Sequence, residues 1–286
     1  MSRLMSQLSI ASVFLSILMM SGCSSDDDGG GTATTVPPNA VTITEANAKD
    51  VVMQATLGGS ALIDFVPVAA DVAQAPSAND IIVLAVDKVK DISNVTALNL
   101  PVAEEINLPC DLGSITGTGT ETETSASGTI TFNDCVIGTV TLTGTITFNA
   151  SINLTTQDWT INMTGNLSAA DSTITTTLSG LIINEAGNDL TGEFSLNTYT
   201  FALDYSTGGG FLAQLLAPIV GNELQVCPVS PRSGIVLVTG ADNTQGKGTI
   251  NSDGTVTVEY NSGSGAFVEV TDPPPGSPYP CANFFD

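Results

Sequence analysis

The stretch TVTLTGTITFNASINLT, residues 139–155, alternates polar and apolar residues at every step. Val140, Leu142, Ile146, Phe148 and Ile152 fall on one parity, and Thr141, Thr143, Thr145, Thr147 and Asn149 on the other. Period two over that length means a long β-strand, or two strands whose register survives a tight bend. One face is apolar and faces a core; the other is built of hydroxyls and amides.

The pattern extends in both directions. Upstream it begins at Gly128. Downstream, Gln157-Asp158 marks a turn, after which Trp159, Ile161, Met163 and Leu167 take the apolar face. Asp171-Ser172 and Ala186-Gly187-Asn188 mark two further turns, before Ile174–Ile182 and Leu190–Leu196. Apolar parity then slips at Tyr199, Phe201 and Leu203, which calls for a β-bulge near Asn197-Thr198. Short turns between successive amphipathic strands make an antiparallel meander. Phe211–Val220 is a further apolar element ending at Gly221-Asn222, and Gly234–Thr239 a strand. A hairpin crosses Asn251-Ser252-Asp253-Gly254 into Thr255–Tyr260, and Ala266–Thr271 reads as the last strand. The prolines at 273–275 run extended over the surface.

Residues 41–108 read differently. Thr44, an early acid at Glu45 and apolar positions at helical spacing predict a helix over Glu45–Leu57, stopped by Gly58-Gly59. Asn79-Asp80 caps a second apolar segment, Ile81–Val89, that fits a helix or a buried strand. The expected fold is mainly β: an antiparallel meander of long amphipathic strands, as a sandwich or an open half-barrel, with one or two N-terminal helices. A single domain is expected over 41–286, partly helical over 41–108, with the meander over 109–207 and C-terminal strands and a Pro-rich tail over 208–286.

The N-terminus supplies an address. Arg3 is followed by an apolar run, Ile10–Met20, too short to span a bilayer, which needs about 20 residues. Met20-Ser21-Gly22-Cys23 then resembles the lipobox of bacterial lipoproteins. The resemblance implies a signal peptide over 1–22 and a diacylglycerol and acyl (palmitate-type) anchor on Cys23. Ser24 after the cysteine implies sorting to the cell outer membrane, facing the periplasm or exposed at the surface. The run Ser24-Ser25-Asp26-Asp27-Asp28 is similar to the acidic export signal of surface lipoproteins. Residues 23–40, with Gly29–Gly31 and Pro37-Pro38, read as a flexible tether reaching at most about 60 Å.

Four cysteines follow: Cys110, Cys135, Cys227 and Cys281. In an exported chain they read as two disulfides, with Cys110–Cys135 and Cys227–Cys281 favoured because each pair brackets a local segment.

Composition narrows the chemistry. The chain of 286 residues has 6 Lys+Arg, 29 Asp+Glu and no histidine, a net charge of -23. Without histidine there is no Ser-His-Asp or Cys-His catalysis and no His-ligated metal. Without clustered cations nucleic acid is excluded as a partner. Gly240–Gly248 lacks the spacing and the Ser/Thr of a phosphate loop and reads as turn glycines. Carboxylate-only glycoside hydrolysis has candidate glutamates in Glu104, Glu105, Glu121, Glu123, Glu185 and Glu193. Glu121 and Glu123, however, fall in a Gly/Thr/Ser stretch that reads as an exposed loop. No enzyme is expected, no cofactor, and no dedicated metal site. Weak surface calcium is the single metal expectation, with Asp26–Asp28 or Asp242-Asn243 together with Asn251 and Asp253 as ligands. The sequons at Asn94, Asn149, Asn153, Asn162 and Asn166 are by-products of a Thr/Asn-rich face.

Three functional classes survive. The first is a membrane-anchored interaction module that presents its Thr/Asn face to a protein partner. The second is a carrier that holds a lipid or other hydrophobic ligand on the apolar face. The third is an oligomeric barrel component, disfavoured because the strands lack aromatic girdles.

Overall fold

The computed structural model describes residues 34–60, 106–108, 110–122, 124–172, 174–222, 231–271 and 279–280. The signal segment, Cys23, Asp26–Asp28, Ile81–Val89, Asn94, Glu104, Glu105, Glu123, Cys227, Cys281 and the prolines at 273–275 lie outside the described residues.

Among the described residues one α-helix, α1 (Ala48–Ser60), precedes thirteen strands that form one sheet. They are β1 (Ile106–Leu108), β2 (Leu112–Glu121), β3 (Ser125–Ile137), β4 (Val140–Ile152), β5 (Asp158–Ala170), β6 (Thr175–Asn188) and β7 (Glu193–Tyr205). The sheet continues with β8 (Phe211–Asn222), β9 (Ser233–Thr239), β10 (Gln245–Ile250), β11 (Thr255–Asn261), β12 (Val268–Glu269) and β13 (Tyr279–Pro280). Each strand from β1 to β12 pairs antiparallel with the next in sequence, and β13 pairs with β11. The expected meander is therefore a single open sheet; among the described residues β1 is the outer strand at one edge, and β12 and β13 lie along β11 at the other.

Within the stretch 139–155, Val140–Ile152 form one strand, β4. It ends at Ile152 because the Asn153 carboxamide oxygen accepts hydrogen bonds from the backbone N–H groups of Thr155 (2.9 Å) and Thr156 (3.2 Å). That is an Asx-type turn. The bulge expected at Asn197 is present: Asn184 pairs with Thr198 and Glu185 with Leu196, which leaves Asn197 as the extra residue. The turn expected at 186–188 falls after Asn188 instead, because Gly187 and Asn188 still pair with Phe194 and Glu193. The strand expected over Ala266–Thr271 contracts to two residues, β12, and it is not the last, since β13 follows it.

Residues 112–121 correct the sequence reading. They form β2, in register with β3 from Ser114 to Glu121, and not an exposed loop around Glu121. The alternation is hidden because Gly117 and Gly119 occupy inward positions where an apolar side chain would otherwise reveal it. An added Cβ on Gly119 would come within 2.9 Å of the Ser127 carbonyl oxygen.

The helix also differs from its expected bounds. Residues 44–47 form a turn in which the Asn47 carboxamide accepts from the Thr44 N–H (2.8 Å) and donates to the Thr42 carbonyl (3.1 Å). Helical geometry starts only at Ala48 and runs through both glycines to Ser60. Ala48, Val52 and Ala55 are fully buried against β9, β10 and β11. Gly246 and Gly248 make this approach possible, since a Cβ on either would stand 2.9 or 2.6 Å from a Val52 methyl. These are strand glycines under a helix, which corrects their reading as turn glycines. The Tyr199 hydroxyl on β7 donates to the Ala55 carbonyl (3.0 Å), and burial pushes its pKa well above the usual phenol range.

The inward positions of the sheet form one contiguous core running from Ile115 on β2 to Val258 on β11. The described end of the 23–40 stretch lies against the sheet. Thr34 donates to the Gly180 carbonyl (3.3 Å), and the Val41 N–H donates to the Gly210 carbonyl (2.8 Å). The Cys110–Cys135 disulfide is formed, with Cα atoms 5.3 Å apart.

Candidate functional site

Of the candidate glutamates, Glu185 and Glu193 are the two whose side chains the structure describes, and they do not converge. Glu185 is 2% exposed and shares the inward face of β6 with Leu181 and Ile183. Glu193 lies on the outward face of β7, ion-paired with Arg232 at 3.1 Å. The two glutamates thus sit on opposite faces of the sheet and cannot flank one glycosidic bond. The suggested calcium set also separates. Asp242 and Asn243 precede β10, whereas Asn251 and Asp253 follow it, a span of roughly 20 Å. The Asp253 carboxylate instead accepts from the Thr255 N–H (3.1 Å) and hydroxyl (2.6 Å), and so closes the hairpin. No group of three or more potential metal ligands occurs among the described residues.

Where β5, β6 and β7 meet, Asn188 organises the turns. Its amide nitrogen donates to the Thr156 carbonyl (2.9 Å) and the Asp158 carboxylate (2.6 Å), and its oxygen accepts from the N–H groups of Leu190 and Thr191 (both 3.0 Å). All four of its hydrogen-bonding positions are used. Hydrogen bonds from Thr156 and then Asn188 hold the Asp158 carboxyl below the usual carboxylate range. Asp189, one residue beyond Asn188, behaves in the opposite way. Burial pushes its carboxyl up, against a hydrogen bond from Trp159 that lowers it.

The sign follows from proton linkage. A carboxyl whose folded pKa is raised binds its proton more tightly in the native state, so stability falls as pH rises through that folded value. Asp189→Asn keeps an acceptor for Trp159 and removes the partly buried charge. The variant is expected to unfold at a higher temperature than the parent at neutral pH. The difference should vanish as pH falls towards the ordinary value of 3.8. Equal melting temperatures for the two proteins at neutral pH would contradict this.

The feature that unifies the sheet is its outer face. Thr118, Thr129, Thr147, Thr164, Ile182 and Thr200 stand side by side across six strands. A second rank runs Thr120, Ser127, Asn149, Asn162, Asn184 and Thr198. The hydroxyls partner one another along these ranks: Thr129 with Thr147 at 3.2 Å, Thr120 with Ser127 at 3.0 Å and, on a flanking rank, Thr131 with Thr145 at 3.4 Å. Neither rank contains a charged residue. Asp134, Asp158, Glu193 and Asp204 lie at the strand ends, and the next charge on the first rank is Lys247 on β10. Lys247 is itself paired with Glu259 at 2.6 Å and lies over the Phe267 ring.

Sequence alternation places these side chains outward but does not say which of them are neighbours. The register across β2–β7 supplies that. Comparison with known protein families and with curated proteins finds no match for the chain.

Proposed function

We propose that the chain is an exported interaction module, held at the outer membrane by an acylated Cys23, whose working surface is the outer face of β2–β7. The observation that carries this reading is the lack of charge on that face in a chain of net charge -23. A face serving only solubility would carry mixed charges at roughly 25–35% of its positions. Here two ranks of six residues hold hydroxyls, amides and one isoleucine.

Burial on the other side supports the same reading over a carrier. Ile115, Leu142, Ile146, Leu167, Leu178 and Ile183 are all within 2% of full burial, as packed core residues are. A ligand cavity would leave part of such a face accessible in the empty chain.

The test uses a photoreactive residue at Thr129 or Thr147, in cells that make the chain, with Thr207 in the β7–β8 turn as the comparison. One discrete adduct from the two face positions, absent from Thr207, is expected. Adducts from Thr207 alone, or from no position, would contradict the reading. The anchor is tested separately: labelled palmitate should enter the chain and be lost in Cys23→Ser.

A further inference from the structure

We propose that the uncharged outer face of β2–β7 is a self-association surface on which a second copy of this chain docks. This rests on the reading of that face as the working surface and names its occupant.

Electrostatics favours this face. Two copies of a chain carrying -23 repel each other, and the cost is least where the facing surfaces hold no charge of their own. The strand ends bear Asp134, Asp158, Glu193 and Asp204, and the outer side of β10–β12 bears Lys247, Glu259 and Glu269. The centre of β2–β7 is the broad exception. A basic partner would be drawn to the carboxylates at the strand ends, away from this centre.

Desolvation of the face is inexpensive. Excluding water from hydroxyls costs free energy when they are left unsatisfied. Here Thr129 and Thr147, Thr131 and Thr145, and Thr120 and Ser127 already bond to each other within one copy. Within the first rank, between Thr164 and Thr200, Ile182 is 40% exposed and supplies an apolar anchor.

The face is also large enough. Six strands and about nine residues of strand length give a face on the order of 750 Å². That approaches the roughly 800 Å² per partner of a stable interface. A two-fold axis would set each copy's face against its counterpart, as closed homodimers require, with the two sheets crossing at about 30°.

The experiment is sedimentation velocity on the full chain carrying Cys23→Ser, across concentration and at low and high salt. A reversible dimer is expected. It should tighten with salt, because the screening length falls from about 30 Å at 0.01 M to about 3 Å at 1 M and net repulsion falls with it. Ile182→Glu and Thr147→Glu place like charges face to face and should each weaken the dimer at least about tenfold. Ser233→Glu, an exposed position on β9 away from the face, should leave it unchanged. A monomer at every concentration and salt would overturn the proposal, as would a dimer that Ser233→Glu weakens as much as Ile182→Glu. A monomer accompanied by a foreign adduct at Thr147 overturns self-association alone, whereas a monomer with no adduct overturns the interaction module as well.

Discussion

Phe201→Ala is expected to destabilise the domain by about 3–5 kcal/mol, the usual cost of removing a buried phenylalanine. Phe201 is fully buried on β7. Its ring meets Tyr199 edge-on at 5.0 Å and Phe211 at 6.0 Å. Tyr199 in turn donates to the Ala55 carbonyl of α1, so the aromatic group joins β7 and β8 to the helix. The surroundings are covalently continuous strands that cannot collapse into the space left behind, and the cost should fall at the upper end of that range. Equilibrium urea unfolding of the two proteins measures it. Thr164→Ala, exposed on the outer face of β5 in the same sheet, should change stability by only about 0.5 kcal/mol. A loss below about 1 kcal/mol for Phe201→Ala would mean that this part of the interior is loosely filled.

Removing the Cys110–Cys135 bridge should cost about 3 kcal/mol, because it closes a loop of 25 residues in the unfolded chain. The bridge ties the residues preceding β2 to β3 just beyond the positive-φ residue Asp134, where the β3–β4 register shifts. β2 has the three-residue β1 as its other neighbour, so its outer part depends on this link. The double variant Cys110→Ala, Cys135→Ala is the measurement, with reductant added to both proteins. Reductant should cost the parent more than the variant by about the same amount. Equal sensitivity of the two would show that this bridge contributes nothing.

Much of the architecture was legible in the residues themselves. Strands β4 and β5 follow from alternation, and the parity slip at Tyr199 located the bulge at Asn197. In β6 a register shift between Ser179 and Ile182 turns Ile182 outward, although its spacing from Leu178 puts it on the apolar face. What stayed hidden had specific physical causes. In β2 only Ile115 marks the buried face with a large side chain, because the next inward positions are Gly117 and Gly119. In β10 the glycines are spaced by two like any strand residue, but their reason lies in α1, whose Val52 fills the space above them. Period two says that Thr147 faces outward; it does not say that Thr129 and Thr164 stand on either side of it. The candidate face was therefore readable as a composition but not as a surface. The carboxylates show the converse. Glu185 and Glu193 are close in sequence, yet the pleat and a strand turn put them on opposite faces.

The account divides the sheet into an inner face that is filled core and an outer face that meets other molecules. Native mass spectrometry on the full chain carrying Cys23→Ser, exported to an oxidising periplasm, tests that division most directly. The polypeptide mass, reduced only by the hydrogens lost to its disulfides and free of any small molecule, is the expected result. A co-purifying lipid or other hydrophobic molecule, released on delipidation, would contradict it and make the inner face the binding site.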